Sequence, residues 1–238
     1  MKKILSLLFL AAACAALFYL HAGYYNGQVY RDLPATPADA ATPAIVILSG
    51  DMGDRVGMAP KIAARLHGRG YTVVTVNSLT YFSPRRTPAE VAAMIDAAMT
   101  RAMRLGRTDR VVLIGQSFGA DMLHAGLAEF SPARRRPIQS VVLVVPGEDV
   151  VFRASPIELA GLERPDRPAF PSASQLTWVP VTCIRGADER DSLCPKLTMA
   201  NVRKIVLPGG HMLDFDDRAL EAAILPAVQH ASAIAGSE

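Results

Sequence analysis

Six short apolar runs interleaved with helical patterns constrain this chain more than any other feature. They are Ala44–Leu48 (AIVIL), Tyr71–Val76 (YTVVTV), Arg110–Ile114 (RVVLI), Ser140–Val145 (SVVLVV), Val179–Ile184 (VPVTCI) and Val202–Leu207 (VRKIVL). Each is continuous rather than alternating, as strands buried on both faces of a parallel sheet are. Helices are expected at Val56–His67, which ends in the C-cap pattern GRG, and at Phe118–Phe130. Another runs from Pro88 to about Arg104, with Thr87 as N-cap and Glu90 at the capping-box position. A last one spans Asp217–Ile234, with Pro226 kinking it. Strand–helix alternation of this kind predicts an α/β fold, with a mostly parallel central sheet and helices on both faces. The proline-rich stretch Val150–Leu176 reads as an irregular excursion over the sheet, a small lid or none.

At 238 residues the chain has length for one core. Lys2 and Lys3 supply two of its three net positive charges, so the rest is near neutral. That balance leaves no electrostatic footprint for nucleic acid, and Arg134–Arg136 reads as a solvated loop. The two lysines precede an apolar run, Ile4–Leu20, in the order of an export signal. Residues 1–22 are therefore assigned to a signal peptide or a signal anchor that tethers the chain to the inner membrane. The run is long for the first and just short of a confident span. Residues 23–43, including RDLPATPADAATP, read as a linker, and 44–238 as the folded domain. Cys14 falls in the apolar run, which leaves Cys183 and Cys194 as an even pair and predicts one disulfide in an exported chain.

Gly115-Gln116-Ser117-Phe118-Gly119 fits G-x-S-x-G. The pattern is weak alone, but here an expected strand ends before it and an expected helix begins after it. A serine hydroxyl needs a base, and the base a carboxylate to hold it. Of five histidines, His211 alone directly follows the last expected strand, on a glycine-rich loop (VLPGGHMLDF) that lets its ring reach across the sheet top, while His230 falls in the last expected helix. The acid should follow the strand before, where CIRGADERDSLCP offers Asp188, Glu189 and Asp191. Asp191, four residues before Pro195, is the first choice and Asp188 the second; Glu189 reads as solvated surface. The Cys183–Cys194 pair brackets this loop and would pin the acid. The backbone amides of Phe118 and Asp51 are the expected oxyanion-hole donors, with Met52 the alternative to Asp51. Neither metal-ligand spacing nor a phosphate-cradling loop is present in the sequence, so no cofactor is expected.

Five stretches resemble the VirJ/AcvB family of bacterial virulence proteins, a periplasmic α/β-hydrolase subgroup. They are LSGDMGD, NSLTYFSPRRTPAEVA, GQSFGADM, CIRGADERDSLCP and LPGGHMLDFD, which together span nearly all of Ala44–Asp217. The departure is Met52, which stands where the family has glycine in its S-G-D-G-G loop, with Asp54 after it. The resemblance implies an envelope serine hydrolase acting on the aminoacyl ester of lysyl- or alanyl-phosphatidylglycerol through an acyl-enzyme. It also implies a link to virulence and type IV secretion components, and its alternative is a non-catalytic accessory protein of that machinery. For such a lipid, Asp51, Asp54 or Asp121 is expected to pair with the ammonium and Arg85 and Arg86 with the phosphate.

Overall fold

The computed structural model describes residues 2–24, 27–38, 40–155 and 164–233. Its centre is a seven-stranded sheet of β1 (Tyr30–Leu33), β2 (Ala44–Leu48), β3 (Val73–Val76), β4 (Val111–Gln116), β5 (Ile138–Val144), β8 (Val181–Gly186) and β9 (Val202–Leu207). The spatial order is β1-β3-β2-β4-β5-β8-β9. Every pairing is parallel except β1 with β3.

The continuous apolar runs are explained by two cores, one on each face. Ile45, Ile47, Val73, Val112 and Ile114 point to the side covered by α2 (Ala59–Gly68) and α8 (Asp217–Ala233). Their neighbours Val46, Leu48, Val74, Val76 and Leu113 point to the other side, where α4 (Pro88–Gly106) and α5 (Phe118–Leu127) pack. A strand with both neighbours of every residue buried cannot afford the alternating polar positions of a half-exposed sheet. The expected capping box on α4 is present: Thr87 Oγ1 accepts from the Glu90 amide and Glu90 accepts from the Thr87 amide. Pro226 lies inside α8. The expected end of that helix at Ile234 and the middle of the excursion, 156–163, lie outside the described residues.

The linker expected over 23–43 needs correction, because it contains β1. Tyr30, Arg31, Asp32 and Leu33 pair antiparallel with Val76, Thr75, Val74 and Val73 at the sheet edge. Asp32 fastens the strand to α4 through two bonds from Arg101, at 2.6 and 2.7 Å. The excursion after β5 contributes the two-residue ribbon β6 (Asp149–Val150) with β7 (Arg167–Pro168), and the short α7 (Phe170–Ala173). The remaining short helices are α3 (Ser78–Tyr81) and α6 (Pro132–Arg135), and the apolar α1 (Lys2–Ala22) precedes the sheet.

Candidate active site

Ser117 sits at the turn between β4 and α5 with φ +52° and ψ −126°, a backbone conformation rarely adopted by residues other than glycine. The flanking glycines make that turn feasible by close approach. A Cβ at Gly119 would overlap the Leu48 and Ser49 carbonyl oxygens, and one at Gly115 would come within 2.6 Å of the Ala120 Cα. Side chains at either position would push α5 off the sheet, and Ser117 would no longer stand above the strand ends. The Ser117 amide donates to Val144, which ties the turn to the neighbouring strand as well.

His211 reaches Ser117 from the loop after β9, with Nε2 2.7 Å from Oγ. Its Nδ1 lies 2.6 Å from Glu189 Oε1. The acid expected at Asp191 is thus corrected to Glu189, and Asp188 is set aside with it. The reason is the tightness of the turn after β8. The Glu189 amide turns back to the Gly186 carbonyl, and its own carboxylate accepts from the Gly186 amide at 3.3 Å. That turn tucks the Glu189 side chain beneath the imidazole, where only 5 % of it is exposed, while Asp188 and Asp191 face solvent. Gly186 lets the two loops meet, since a Cβ there would overlap the Gly209 and Gly210 carbonyls. The Asp188 amide donates to the Gly209 carbonyl across the same junction. Pro195, which suggested Asp191 by spacing, belongs instead to a 3-10 turn at Cys194–Lys196.

The hydrogen bond to Glu189 holds the His211 imidazole above its ordinary pKa, against the opposing effect of burial, with smaller contributions from the charges of Asp51 and Asp191. Asp191 therefore acts on His211 only at a distance. His124, on α5, is wholly buried beside Ser172, and burial followed by the charge of Arg167 pushes it down to about 3. It is a neutral packing residue.

Cys183 on β8 and Cys194 form a disulfide across eleven residues, and Glu189 lies inside the loop it closes. Closing so short a loop contributes about 2–3 kcal/mol in the chain-entropy picture. Reduction is expected to lower the melting temperature by about 4–12 °C for a domain of this size. A thiol titration before and after reduction, run beside the melt, checks it; two free thiols in the untreated protein and an unchanged melt would be the contrary result.

A cavity of about 190 Å³ opens beside Ser117 and His211, with Asp51, Met52, Val56 and Met58 among its walls. Gly50 brings this wall against Ser117, its Cβ position 3.6 Å from the Ser117 Cβ. Asp51 is the carboxylate of this wall. Burial raises its pKa, while the nearby His211 charge and the N–H groups of Asp51 and Met52 lower it. Of the two expected oxyanion donors, Asp51 lines this cavity, and Phe118 opens α5 directly after Ser117.

The other expected substrate contacts are not brought to this cavity. Asp54 is buried against Arg31 and Thr75, where it anchors β1 to β3. Asp121 accepts from the Gly147 amide at 2.9 Å and supports the loop after β5. Arg85 pairs with Asp166. Arg86 lies over the Tyr81 ring, donates to the Tyr81 carbonyl and pairs with Glu90. All four are engaged in joining elements of the fold, which is why their charge did not mark a ligand.

A serine at a strained strand–helix turn, a histidine on a loop from the sheet's far edge and a buried carboxylate behind it, all on a mostly parallel sheet, define an α/β hydrolase. Residues 43–232 match the family described as bacterial virulence protein (VirJ), and this chain belongs to it. Among solved structures it is similar to Est1E from Butyrivibrio proteoclasticus, at 14 % identity and TM-score 0.59, covering 84 % of this chain and 94 % of that one. It is likewise similar to proline iminopeptidase from Mycobacterium smegmatis, at 14 % identity and TM-score 0.60, covering 87 % and 95 %. The α/β hydrolase GrgF from Penicillium sp. sh18 aligns at 13 % identity and TM-score 0.60, over 85 % and 93 %. At these identities the likeness is one of fold. No curated protein matches the chain.

Proposed function

We propose that this protein is a periplasmic serine esterase that releases the amino acid from an aminoacyl-phosphatidylglycerol. The observation that carries the reading is the relay from Glu189 through His211 to Ser117, with 2.6 and 2.7 Å contacts at the two imidazole nitrogens. In that relay Glu189 fixes the tautomer with Nδ1 protonated, leaving Nε2 to take the Ser117 proton. Ser117 Oγ attacks the aminoacyl carbonyl, the amides of Phe118 and Asp51 hold the developing oxyanion, and His211 returns the proton to the departing glycerol oxygen. Water activated by His211 then cleaves the acyl-enzyme, freeing the amino acid and Ser117. The disulfide supports an oxidising compartment.

The substrate class is supported by the pocket wall. A small apolar cavity bearing one carboxylate suits a short acyl group with an ammonium next to its ester carbonyl, and Asp51, in the cavity wall, is the partner proposed for that ammonium. The diacylglycerol moiety and its phosphate stay outside in this arrangement.

The test is amino acid release from vesicles containing lysyl- or alanyl-phosphatidylglycerol, with serine labelling by a fluorophosphonate alongside. Release with labelling is expected. Labelling without release would keep the esterase and discard this lipid, and absence of both would favour the non-catalytic accessory protein. Asp51→Asn is expected to lose about tenfold more kcat/KM on the ammonium-bearing ester than on an uncharged ester of similar size, the value of one charge-assisted contact. Equal losses on the two esters would remove Asp51 from substrate recognition.

A further inference from the structure

Helix α1 ends in a way that a discarded leader has no need of. The Gly23 amide donates to the Leu20 carbonyl and the Tyr24 amide to the Tyr19 carbonyl, with Gly23 at φ +93°. This is the left-handed glycine stop of a Schellman motif, so the helix runs unbroken to Ala22 and turns sharply. The turn is then built into the hydrolase domain. Ala22 is wholly buried, and its carbonyl accepts from Asn77 Nδ2 at 3.1 Å. The Gly23 carbonyl accepts from Thr80 Oγ1 at 2.5 Å, and Arg55 donates to the His21 carbonyl. Asn77 and Thr80 are themselves buried, at the start of α3. Removing residues up to Ala22 would leave Asn77 without this acceptor in the interior, a costly state for a polar group.

The rest of α1 is dressed for a different solvent. Eight of the eleven exposed large apolar side chains among the described residues lie on it, from Ile4 to Leu20. Its 21 residues span about 31 Å at the helical rise, close to the thickness of a bilayer's hydrocarbon core. Lys2 and Lys3 at one end favour the cytoplasmic side. The other end, with the domain and its disulfide, then faces the oxidising side.

We infer that α1 is retained as a membrane anchor whose last turn, docked on Gly53, Asn77 and Thr80, fixes the catalytic cavity at the bilayer surface. Gly53 joins the docked turn to the cavity. It lines the cavity beside Ser117, and a Cβ on it would come within 2.8 Å of the Ala22 carbonyl. The anchor therefore leaves the domain one residue's width from the cavity wall, and the loop carrying Asp51 and Met52 cannot tilt away from the membrane independently of it. A substrate embedded in the same leaflet meets the site without leaving the bilayer, at an effective concentration set by the tether. The anchoring is independent of which ester Ser117 attacks.

The experiment is expression of the full chain with export, followed by intact mass measurement and alkaline carbonate extraction of the membranes. The expected result is a chain that keeps residues 1–22, stays in the pellet and is digested by protease added to the outer face only. A soluble chain starting near Gly23 would overturn the inference. Docking is read separately, as chymotryptic cleavage at Tyr24 in detergent. Gly53→Ala, which drives a methyl at the Ala22 carbonyl, is expected to raise the cleavage rate several-fold, and Thr80→Val, which removes one donor, to do so where Gly53→Ala does not fold. Rates equal to wild type in the folded variants would overturn the docked turn. None of these readouts depends on hydrolysis, so a failed esterase assay leaves them intact.

Discussion

Ser117→Ala is expected to abolish fluorophosphonate labelling and to lower ester hydrolysis by about 10⁴-fold or more, while the melting temperature stays close to wild type. The hydroxyl's hydrogen bond is to His211 at the open top of the sheet, so its loss leaves the interior as it was. The backbone strain at φ +52° is the same for alanine as for serine. Residual turnover comes from binding and the oxyanion donors alone, because His211 then has no oxygen nucleophile on the protein to activate. Equal labelling of the variant would place the reactive group elsewhere and dismantle the mechanism. A large drop in melting temperature would mean that the lost activity reports on folding and not on chemistry.

The sequence made the inner sheet legible because burial on both faces forces an uninterrupted apolar run in each of β2, β3, β4, β5 and β8. Ala44–Leu48, buried at every residue, has the same bounds in sequence and structure, and the Thr87 capping box is visible as Thr87-Pro88-Ala89-Glu90. The edge strand β1 was not legible. Tyr30–Leu33 is four residues long and bonds on one side only; Arg31 and Asp32 answer to Asp54 and Arg101, and only Tyr30 and Leu33 pack on the edges of the two cores, too few to make an apolar run. The site divides in the same way. Ser117 and His211 are announced by glycines, since the chain must turn tightly and pass close to other backbone at both places. The acid has no such signature. Three carboxylates lie within four residues, and which one turns under the imidazole depends on the Gly186–Glu189 bond and on the His211 loop meeting Gly186. Those contacts are made between segments, and spacing along one segment favoured Asp191. Arg85, Arg86, Asp54 and Asp121 mislead for a related reason: a charge in a loop looks the same in sequence whether its partner is a substrate or the next helix.

Glu189→Gln separates these carboxylates by function. It is expected to lower kcat/KM by about 10³–10⁴-fold, because a neutral amide can offer His211 either an N–H or an oxygen and no longer stabilises the imidazolium formed in the transition state. Asp191→Asn and Asp188→Asn are expected to stay within about threefold of wild type, as exposed groups acting through solvent. The pH profile gives an independent sign. His211 must be neutral to accept the Ser117 proton, so activity rises with pH through its pKa, and Glu189 holds that pKa above the ordinary imidazole value of about 6.5. Removing the Glu189 charge leaves burial, which opposes protonation, as the dominant influence. The acid limb of the residual activity should therefore move to lower pH in Glu189→Gln, the opposite of what loss of folding would produce. In Asp191→Asn the limb should move the same way by much less, since that carboxylate contributes only its distant charge. If Asp191→Asn instead caused the larger loss and the larger shift, the relay would run through Asp191, and the turn at Gly186 would have to open in solution to allow it.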